Sequence, residues 1–267
     1  MLAPVREYFI KDGAALHTWE YDPAWDKKRK TVYEVMRVID GTPLFLDEHI
    51  ERILNSSREA GLKDVPVRSK LEKAISGLIN KNSSEDGNIL LCIIPTKEHS
   101  HILSWYVDHY YPDENEYIKG VGIRTMNAIR KQPTAKVWNA ELRSKAQYLI
   151  SESDVYEVLL VDKKKNITEG SRSNIFFIRG DSLFTTPDQM VLQGITRKKI
   201  LELAKEMMIE VTEREIPLMH LPFYESAFIS GTSPGILPVS MIDKHRFNTS
   251  NELMRKLMAA YNELVKG

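Results

Sequence analysis

Apolar and polar positions alternate with two periods along this chain, and the points where one period gives way to the other mark its elements. Thr31 to Ile39 and Pro43 to Leu46 read as strands around Asp40-Gly41, a dipeptide that favours a tight hairpin turn. Asp47 then suits a helix N-cap, and Ile50, Ile53, Leu54 and Leu62 keep near-helical spacing, with a stop at Gly61. Leu71, Ile75, Leu78 and Ile79 recur at three and four, which predicts a second helix ending before the polar cluster at 80–88. Strands at Ile89 to Pro95 and His101 to Tyr111 complete a first half that reads as a sheet flanked by two helices.

The run Pro112-Asp113-Glu114-Asn115-Glu116 has the most linker-like composition in the chain and sets the expected boundary, giving domains 1–116 and 117–267. Beyond it the pattern predicts a strand near Val121 to Asn127, a helix near Ala140 to Ser151, and strands at Tyr156 to Asp162, Asn174 to Ile178 and Leu183 to Thr186. A helix from Arg197 to Met208 follows. Strands around Val211 to Pro217, Ala227 to Ser230 and Pro238 to Ile242, and a helix from Asn251 to Val265, close the second half. The fold class is α/β (α+β), with no internal repeat or low-complexity tract.

Composition narrows the function. With 267 residues the chain can bury a sizeable core, and 37 Lys plus Arg against 37 Asp plus Glu leave no net charge to draw it to nucleic acid or an anionic membrane. A small-molecule site fits better. The single cysteine, Cys92, lies inside an apolar run, so a disulfide framework and a cysteine-based zinc site are both excluded within one chain, and a reducing compartment is expected. Charges at Arg6, Glu7, Lys11 and Asp12 interrupt the N-terminal stretch, which is not a secretory signal, so a cytoplasmic protein is expected. His99, His101 and His109 flank a strand without an evident fourth ligand, and no metal is expected.

Three segments carry candidate chemistry. In Gly194-Ile195-Thr196-Arg197, Thr196 is placed to N-cap the following helix, and free N–H groups there suit a phosphate or carboxylate. Gly231-Thr232-Ser233-Pro234-Gly235 is a small-residue turn after an apolar strand and offers further backbone and hydroxyl donors. Thr168-Glu169-Gly170-Ser171-Arg172-Ser173-Asn174 sets one acid in a tight hydroxyl-rich turn, where a carboxylate can pair with a protonated ring nitrogen. Taken singly, each is also what ordinary caps, β-turns and exposed turn acids look like.

Together with Val32-Tyr33-Glu34-Val35, Asp47-Glu48-His49-Ile50-Glu51-Arg52-Ile53, Pro133-Thr134-Ala135-Lys136, Thr186-Pro187, Leu192-Gln193, Glu213-Arg214 and Pro238-Val239, these segments run in the order found in class IV aminotransferases. The chain resembles that fold-type IV group, which holds branched-chain aminotransferases, D-amino-acid aminotransferases and aminodeoxychorismate lyase. The resemblance implies a two-domain enzyme, with a smaller N-terminal sheet-and-helix domain, a larger C-terminal domain, and pyridoxal 5'-phosphate held between them. It implies that Lys136 bonds the cofactor as a Schiff base and that Glu169 faces its ring nitrogen. Arg52 would hold the phosphate with Gly194, Ile195, Thr196, Gly231 and Thr232, while Leu192 packs against the ring. Lys131 and Lys145 are rivals in kind, but Lys136 lies 33 positions before Glu169, close to the family separation. His49 is expected to be structural.

The implied reaction moves an amino group between an amino acid and a 2-oxo acid. The same lysine and ring also serve elimination of pyruvate from aminodeoxychorismate, and a catalytically silent binding protein would have been marked by loss of the lysine. A homodimer is implied, with no nucleic acid or membrane partner. Substrate groups depart from known members: residues 89–111 contain no arginine, unlike the D-amino-acid type, and Trp25-Asp26-Lys27-Lys28-Arg29-Lys30 precedes Tyr33. Tyr33 is a candidate pocket wall, and Arg37, Arg124 and Arg130 are candidate carboxylate partners, though each is equally suited to packing or surface duty.

Overall fold

The apolar run at 89–94 becomes the middle of a six-stranded sheet. In chain order this first unit contains β1 (Tyr8–Lys11), β2 (Ala14–His17), β3 (Val32–Ile39), β4 (Thr42–Pro43), α1 (Leu46–Glu59), α2 (Arg68–Lys81), β5 (Gly87–Pro95) and β6 (Ser100–Val107). The strand order is β2-β1-β6-β5-β3-β4, antiparallel throughout. The computed structural model describes residues 2–23, 30–84 and 86–266, so the 25–29 part of the basic segment before Tyr33 lies outside the described residues.

Two faces of β5 are covered, which is why it reads as continuous rather than alternating. Ile89, Leu91 and Ile93 join Val32, Met36, Ile50, Ile53, Leu71 and Ile75 in one core, while Leu90, Cys92 and Ile94 join Phe9, Tyr33 and Trp105 in another. Asp40 and Gly41 both have positive φ (48° and 72°), the geometry of the tight hairpin turn expected there. Strand β6 stops at Val107 rather than Tyr111. Helix α1 starts earlier than expected: Phe45 is its N-cap, in a left-handed conformation, and Asp47 sits in the first turn, where it pairs with Arg68 instead of capping. An acid there still meets the positive end of the helix dipole.

The chain divides into two compact units between Tyr110 and Tyr111. Ala135–Trp138 belongs to the first, and the second is Tyr111–Thr134 with Asn139–Gly267. The sequence-based boundary at 116 falls inside α3 (Glu114–Lys119), because the segment read as linker is a helix start. Asp113 accepts from the Glu116 amide at 2.8 Å, and Glu116 returns the bond to the Asp113 amide at 2.9 Å, a capping box hidden in linker-like composition.

The second unit continues with β7 (Val121–Asn127), α4 (Ala140–Ser153), β8 (Glu157–Val161), β9 (Asn166–Gly170), β10 (Asn174–Arg179), β11 (Ser182–Thr185), α5 (Ile195–Glu206), β12 (Glu210–Glu213), β13 (Ile216–Pro217), β14 (Ser226–Gly231), β15 (Gly235–Ile242), β16 (His245–Arg246) and α6 (Glu252–Lys266). Its ten-stranded sheet runs β12-β11-β10-β14-β15-β7-β8-β9-β13, with β16 on β15. Helix α4 crosses between the parallel pair β7 and β8, and α5 between the parallel pair β11 and β12. Leu159, Val161, Ile175, Phe177, Ile229, Leu237 and Val239 fill one core, and α5 and α6 pack on each other and on β14 and β15.

Candidate active-site residues

In the first unit, Glu34 projects from β3 on the same face as Val32 and Met36, toward α1. His49, Arg52, Ile53 and Ser56 recur on α1 at the three- and four-residue spacing of a single face. The Glu34 carboxylate is fully buried. It accepts from Arg52 Nε at 2.7 Å and Nη2 at 2.6 Å, and its Oε2 lies 2.8 Å from His49 Nδ1. Burial alone would push Glu34 up, but the Arg52 charge and hydrogen bonds, the His49 bond and the Lys136 charge together hold its carboxyl well below the usual range. For His49, burial outweighs the pull of Glu34 and lowers its pKa, so the ring is neutral at pH 7.

Lys136 is fixed through its backbone. The segment around it joins the free upper edge of β3: Tyr33 N donates to Lys136 O at 3.1 Å, Trp138 N donates to Thr31 O at 2.8 Å, and Val32 bridges Val137. Ser56 Oγ accepts from Lys136 N at 3.1 Å, so the helix that carries Arg52 also anchors the lysine. The half-buried ammonium lies 5.2 Å from the Tyr33 ring centroid, and Tyr33 meets Trp138 edge-on at 5.2 Å. The rival lysines differ in kind: Lys131 is exposed, and Lys145 is an exposed α4 residue paired with Glu141 at 2.6 Å.

In the second unit Glu169 belongs to a strand and not to the turn where its composition placed it. It is 2% exposed, near the end of β9. The register of β8 against β9 shifts between the pairs Leu159↔Gly170 and Val161↔Ile167, so that Thr168 and Glu169 together oppose Leu160, and this β-bulge re-aims the acid. Arg130 Nε donates to Glu169 Oε1 at 2.7 Å, Arg130 Nη2 donates to Ser171 O at 2.6 Å, and the Leu192 amide donates to Glu169 Oε2 at 3.2 Å. Arg130, one of the candidate carboxylate partners, thus has Glu169 as its own carboxylate. Arg124 lies 3.6 Å from Asp243, and Arg37 is half-buried on β3 opposite Asn88.

Helix α5 begins at Ile195, with Gly194 as N-cap, so Thr196 is a buried first-turn residue rather than the cap itself. No side chain caps this helix. A Cβ on Gly194 would overlap Asn174 Oδ1, so it would displace the side chain whose Nδ2 donates to Leu192 O at 2.8 Å. Gly231 and Thr232 follow at the end of β14, and beside them Ser230 Oγ is buried without a hydrogen-bond partner.

Comparison with known proteins identifies the family. The family described as amino-transferase class IV matches residues 31–242. The chain belongs to the class IV aminotransferases. This member is 27% identical over 227 residues to a D-alanine aminotransferase of Bacillus licheniformis, covering 79% of this chain and 78% of the relative. It is 29% identical over 256 residues to a probable branched-chain-amino-acid aminotransferase of Rickettsia bellii, covering 89% and 87%. Its fold matches the branched-chain aminotransferase of the archaeon Thermoproteus uzoniensis with norvaline at a TM-score of 0.86 and 22% identity, covering 98% and 95%. A putative 4-amino-4-deoxychorismate lyase from Legionella pneumophila matches at 0.80 and 20% identity, covering 88% and 91%. The fold is therefore the mixed α/β fold-type IV expected from the sequence.

Two functional candidates escaped the sequence reading. Glu34 gave a signal, an acid at an inward position of the alternating strand Val32, Glu34, Met36, Val38. Ser56 gave none, because its role is a bond to a residue 80 positions away.

Proposed function

We propose that this class IV aminotransferase is a pyridoxal 5'-phosphate-dependent transaminase that moves an amino group between an amino acid and a 2-oxo acid, with Lys136 as the residue bonded to the cofactor aldehyde. The observation that carries the reading is the setting of Lys136: alone among its rivals it is half-buried, fixed by backbone bonds, and set beside an aromatic ring and a buried carboxylate. When bound, the cofactor supplies an electron-withdrawing ring that stabilises the carbon losing its proton. Lys136 Nζ, once displaced by a substrate amine, would take the proton from the substrate α-carbon and deliver it to the cofactor carbon that had carried the aldehyde.

By their chemistry, the donors within each unit suit the cofactor. Glu169 would hold the proton on the ring nitrogen and Leu192 would pack against the ring, with Arg130 compensating the carboxylate charge. The phosphate would be held by the uncapped start of α5 at Gly194, Ile195 and Thr196 and by Gly231 and Thr232, next to the buried Ser230 hydroxyl that has no hydrogen-bond partner. Arg52 supplies positive charge, its guanidinium oriented by Glu34. Tyr33 and Arg37 are the proposed substrate-facing residues. A cytoplasmic homodimer completes the reading, and no helix of the described residues is long and apolar enough to cross a membrane.

Borohydride reduction of the cofactor-loaded protein followed by peptide mass analysis tests this directly. A reduced pyridoxyl adduct on Lys136, with transfer of an amino group from an amino acid in a panel of L and D substrates, is the expected result. An adduct on Lys131 or Lys145, or none after incubation with pyridoxal phosphate, refutes the anchor. Pyruvate release from aminodeoxychorismate without transamination of any amino acid would replace the transaminase reading with the lyase.

A further inference from the structure

Glu157 is a second buried carboxylate in the second unit, 2% exposed, to which the proposed reaction gives no task. It opens β8, and four donors converge on its two oxygens. Ser171 Oγ donates to Oε1 at 2.6 Å and the Val158 amide to the same oxygen at 2.8 Å; Ser173 Oγ donates to Oε2 at 3.0 Å and the Arg172 amide at 3.1 Å. Three of the four come from consecutive residues of the turn that follows Glu169 and Gly170. The turn is tightened by Gly170 N donating to Ser173 O at 2.7 Å and Ser171 N donating to Val158 O at 2.9 Å.

A carboxylate buried at an element's start with saturated hydrogen bonding is a rigid anchor, because moving it would strand several donors at once. The anchored turn contains Ser171, whose carbonyl is one of the two acceptors gripped by the Arg130 guanidinium; Glu169 Oε1 is the other. The two acceptors lie two residues apart on a bulged strand end, so the separation that a single planar guanidinium can span depends on the turn that Glu157 ties down. Gly170 supports the same reading: a Cβ there would overlap Ser173 Oγ and stand 3.1 Å from Glu157 Oε2, so the carboxylate packs directly against the residue after Glu169.

We propose that Glu157 is a positioning residue for the reaction, fixing the Glu169 carboxylate through the 171–173 turn and Arg130. The proposal rests on the reading of Glu169 as the partner of the ring nitrogen. The test uses the cofactor-loaded enzyme in four forms: wild type, Glu157→Gln, Glu169→Gln and the double variant. Three quantities are read: the pH midpoint of the visible absorption band, the dissociation constant for pyridoxal phosphate, and kcat.

Glu169→Gln is expected to move the pH midpoint and lower kcat. Glu157→Gln is expected to move the midpoint in the same direction and lower kcat by about 10–100-fold, the scale of a sub-ångström to 1 Å misplacement of a reacting group. The double variant should match Glu169→Gln alone, because a residue acting through Glu169 has nothing left to position. A purely structural role would instead lower the melting temperature in each background while leaving the pH midpoint unmoved, and that overturns the proposal. If Glu169→Gln itself leaves midpoint and kcat unchanged, the reading of Glu169 falls and this proposal with it; if Glu169→Gln acts and Glu157→Gln does not, only this proposal falls. Should Glu157→Gln fail to fold, Ser171→Ala and Ser173→Ala each remove one donor while keeping the carboxylate. Both must then shift the midpoint in the Glu169→Gln direction, and no shift in either overturns the proposal.

Discussion

Replacing Glu34 with glutamine tests the ion cluster on which the Lys136 anchor helix depends. The substitution keeps shape and removes charge. Glu34 is fully buried, the Arg52 side chain only 11% exposed, and three hydrogen bonds from two residues end on this carboxylate. A glutamine amide turns one of the accepting atoms into a donor, and because Arg52 donates to both oxygens it faces a donor across a 2.6–2.7 Å contact in either amide orientation. Removing one partner of a buried pair strands the other charge out of water, which costs about 3–5 kcal/mol. Over a chain of 267 residues unfolding cooperatively, that corresponds to a fall of about 5–9 °C in melting temperature. Denaturant unfolding with the m-value monitored is the assay, and a lowered midpoint at constant m is expected. Replacing both members with methionine should cost less than Glu34→Gln, because no charge is then left buried. A loss below about 1 kcal/mol, or a double substitution worse than the single, refutes the claim that Arg52 needs Glu34.

Acid should destabilise the protein in two stages. His49 has a folded pKa below its ordinary 6.5, so the unfolded chain gains a proton first and stability falls as pH drops below about 6.5. Glu34 has a folded pKa below its ordinary 4.5, so its contribution is complete above that pH and is lost as pH falls further toward the depressed value. Melting temperature against pH shows both, and His49→Gln should remove the upper stage alone. Gly170→Ala forces Ser173 away from Glu157 and should cost about 2–3 kcal/mol, the scale of a hydrogen bond to a charged group, with most of the cost relieved in a Ser173→Gly background. Asp113→Ala removes the cap of α3 and should cost about 1 kcal/mol in denaturant unfolding, with no change in kcat.

The fold was legible wherever one period dominated. Val121–Asn127 fits its predicted span to the residue, and the hairpin at Asp40-Gly41 and the helices α2, α4 and α6 lie within a few residues of theirs. The reading failed where composition and geometry point different ways. Segment 112–116 is polar and Pro-led, yet it starts a helix, because Asp113 and Glu116 satisfy each other's backbone at a spacing that a composition count does not register. Both misplaced N-caps err for a shared reason. Asp47 and Thr196 are good capping residues, but the preceding Phe45 and Gly194 take the non-helical backbone that defines a cap. Strands β1, β2 and β9 are too short or too polar to show a period of two.

The site was legible as motifs but not as a network, and the acids show why. Glu34, Glu157 and Glu169 are each 2% exposed or less and each lies in a β-strand, the first two among apolar neighbours and Glu169 in the polar strand β9. A buried carboxylate persists only with compensation, and the three solve the problem differently: Glu34 with a guanidinium and an imidazole, Glu169 with a guanidinium and an amide, Glu157 with two hydroxyls and two amides. None of the principal side-chain partners lies within the helical or strand spacing that a sequence scan tests. Arg52 is 18 positions from Glu34, Arg130 is 39 from Glu169, and Ser171 is 14 from Glu157. Local pattern can therefore flag an acid on an apolar strand as anomalous, while the folded register alone supplies the partner that makes it tolerable. Glu157 uses neutral donors where the other two use a cation. That difference is what suits it to fixing a turn, since hydroxyls and amides constrain direction without adding a second charge beside Glu169.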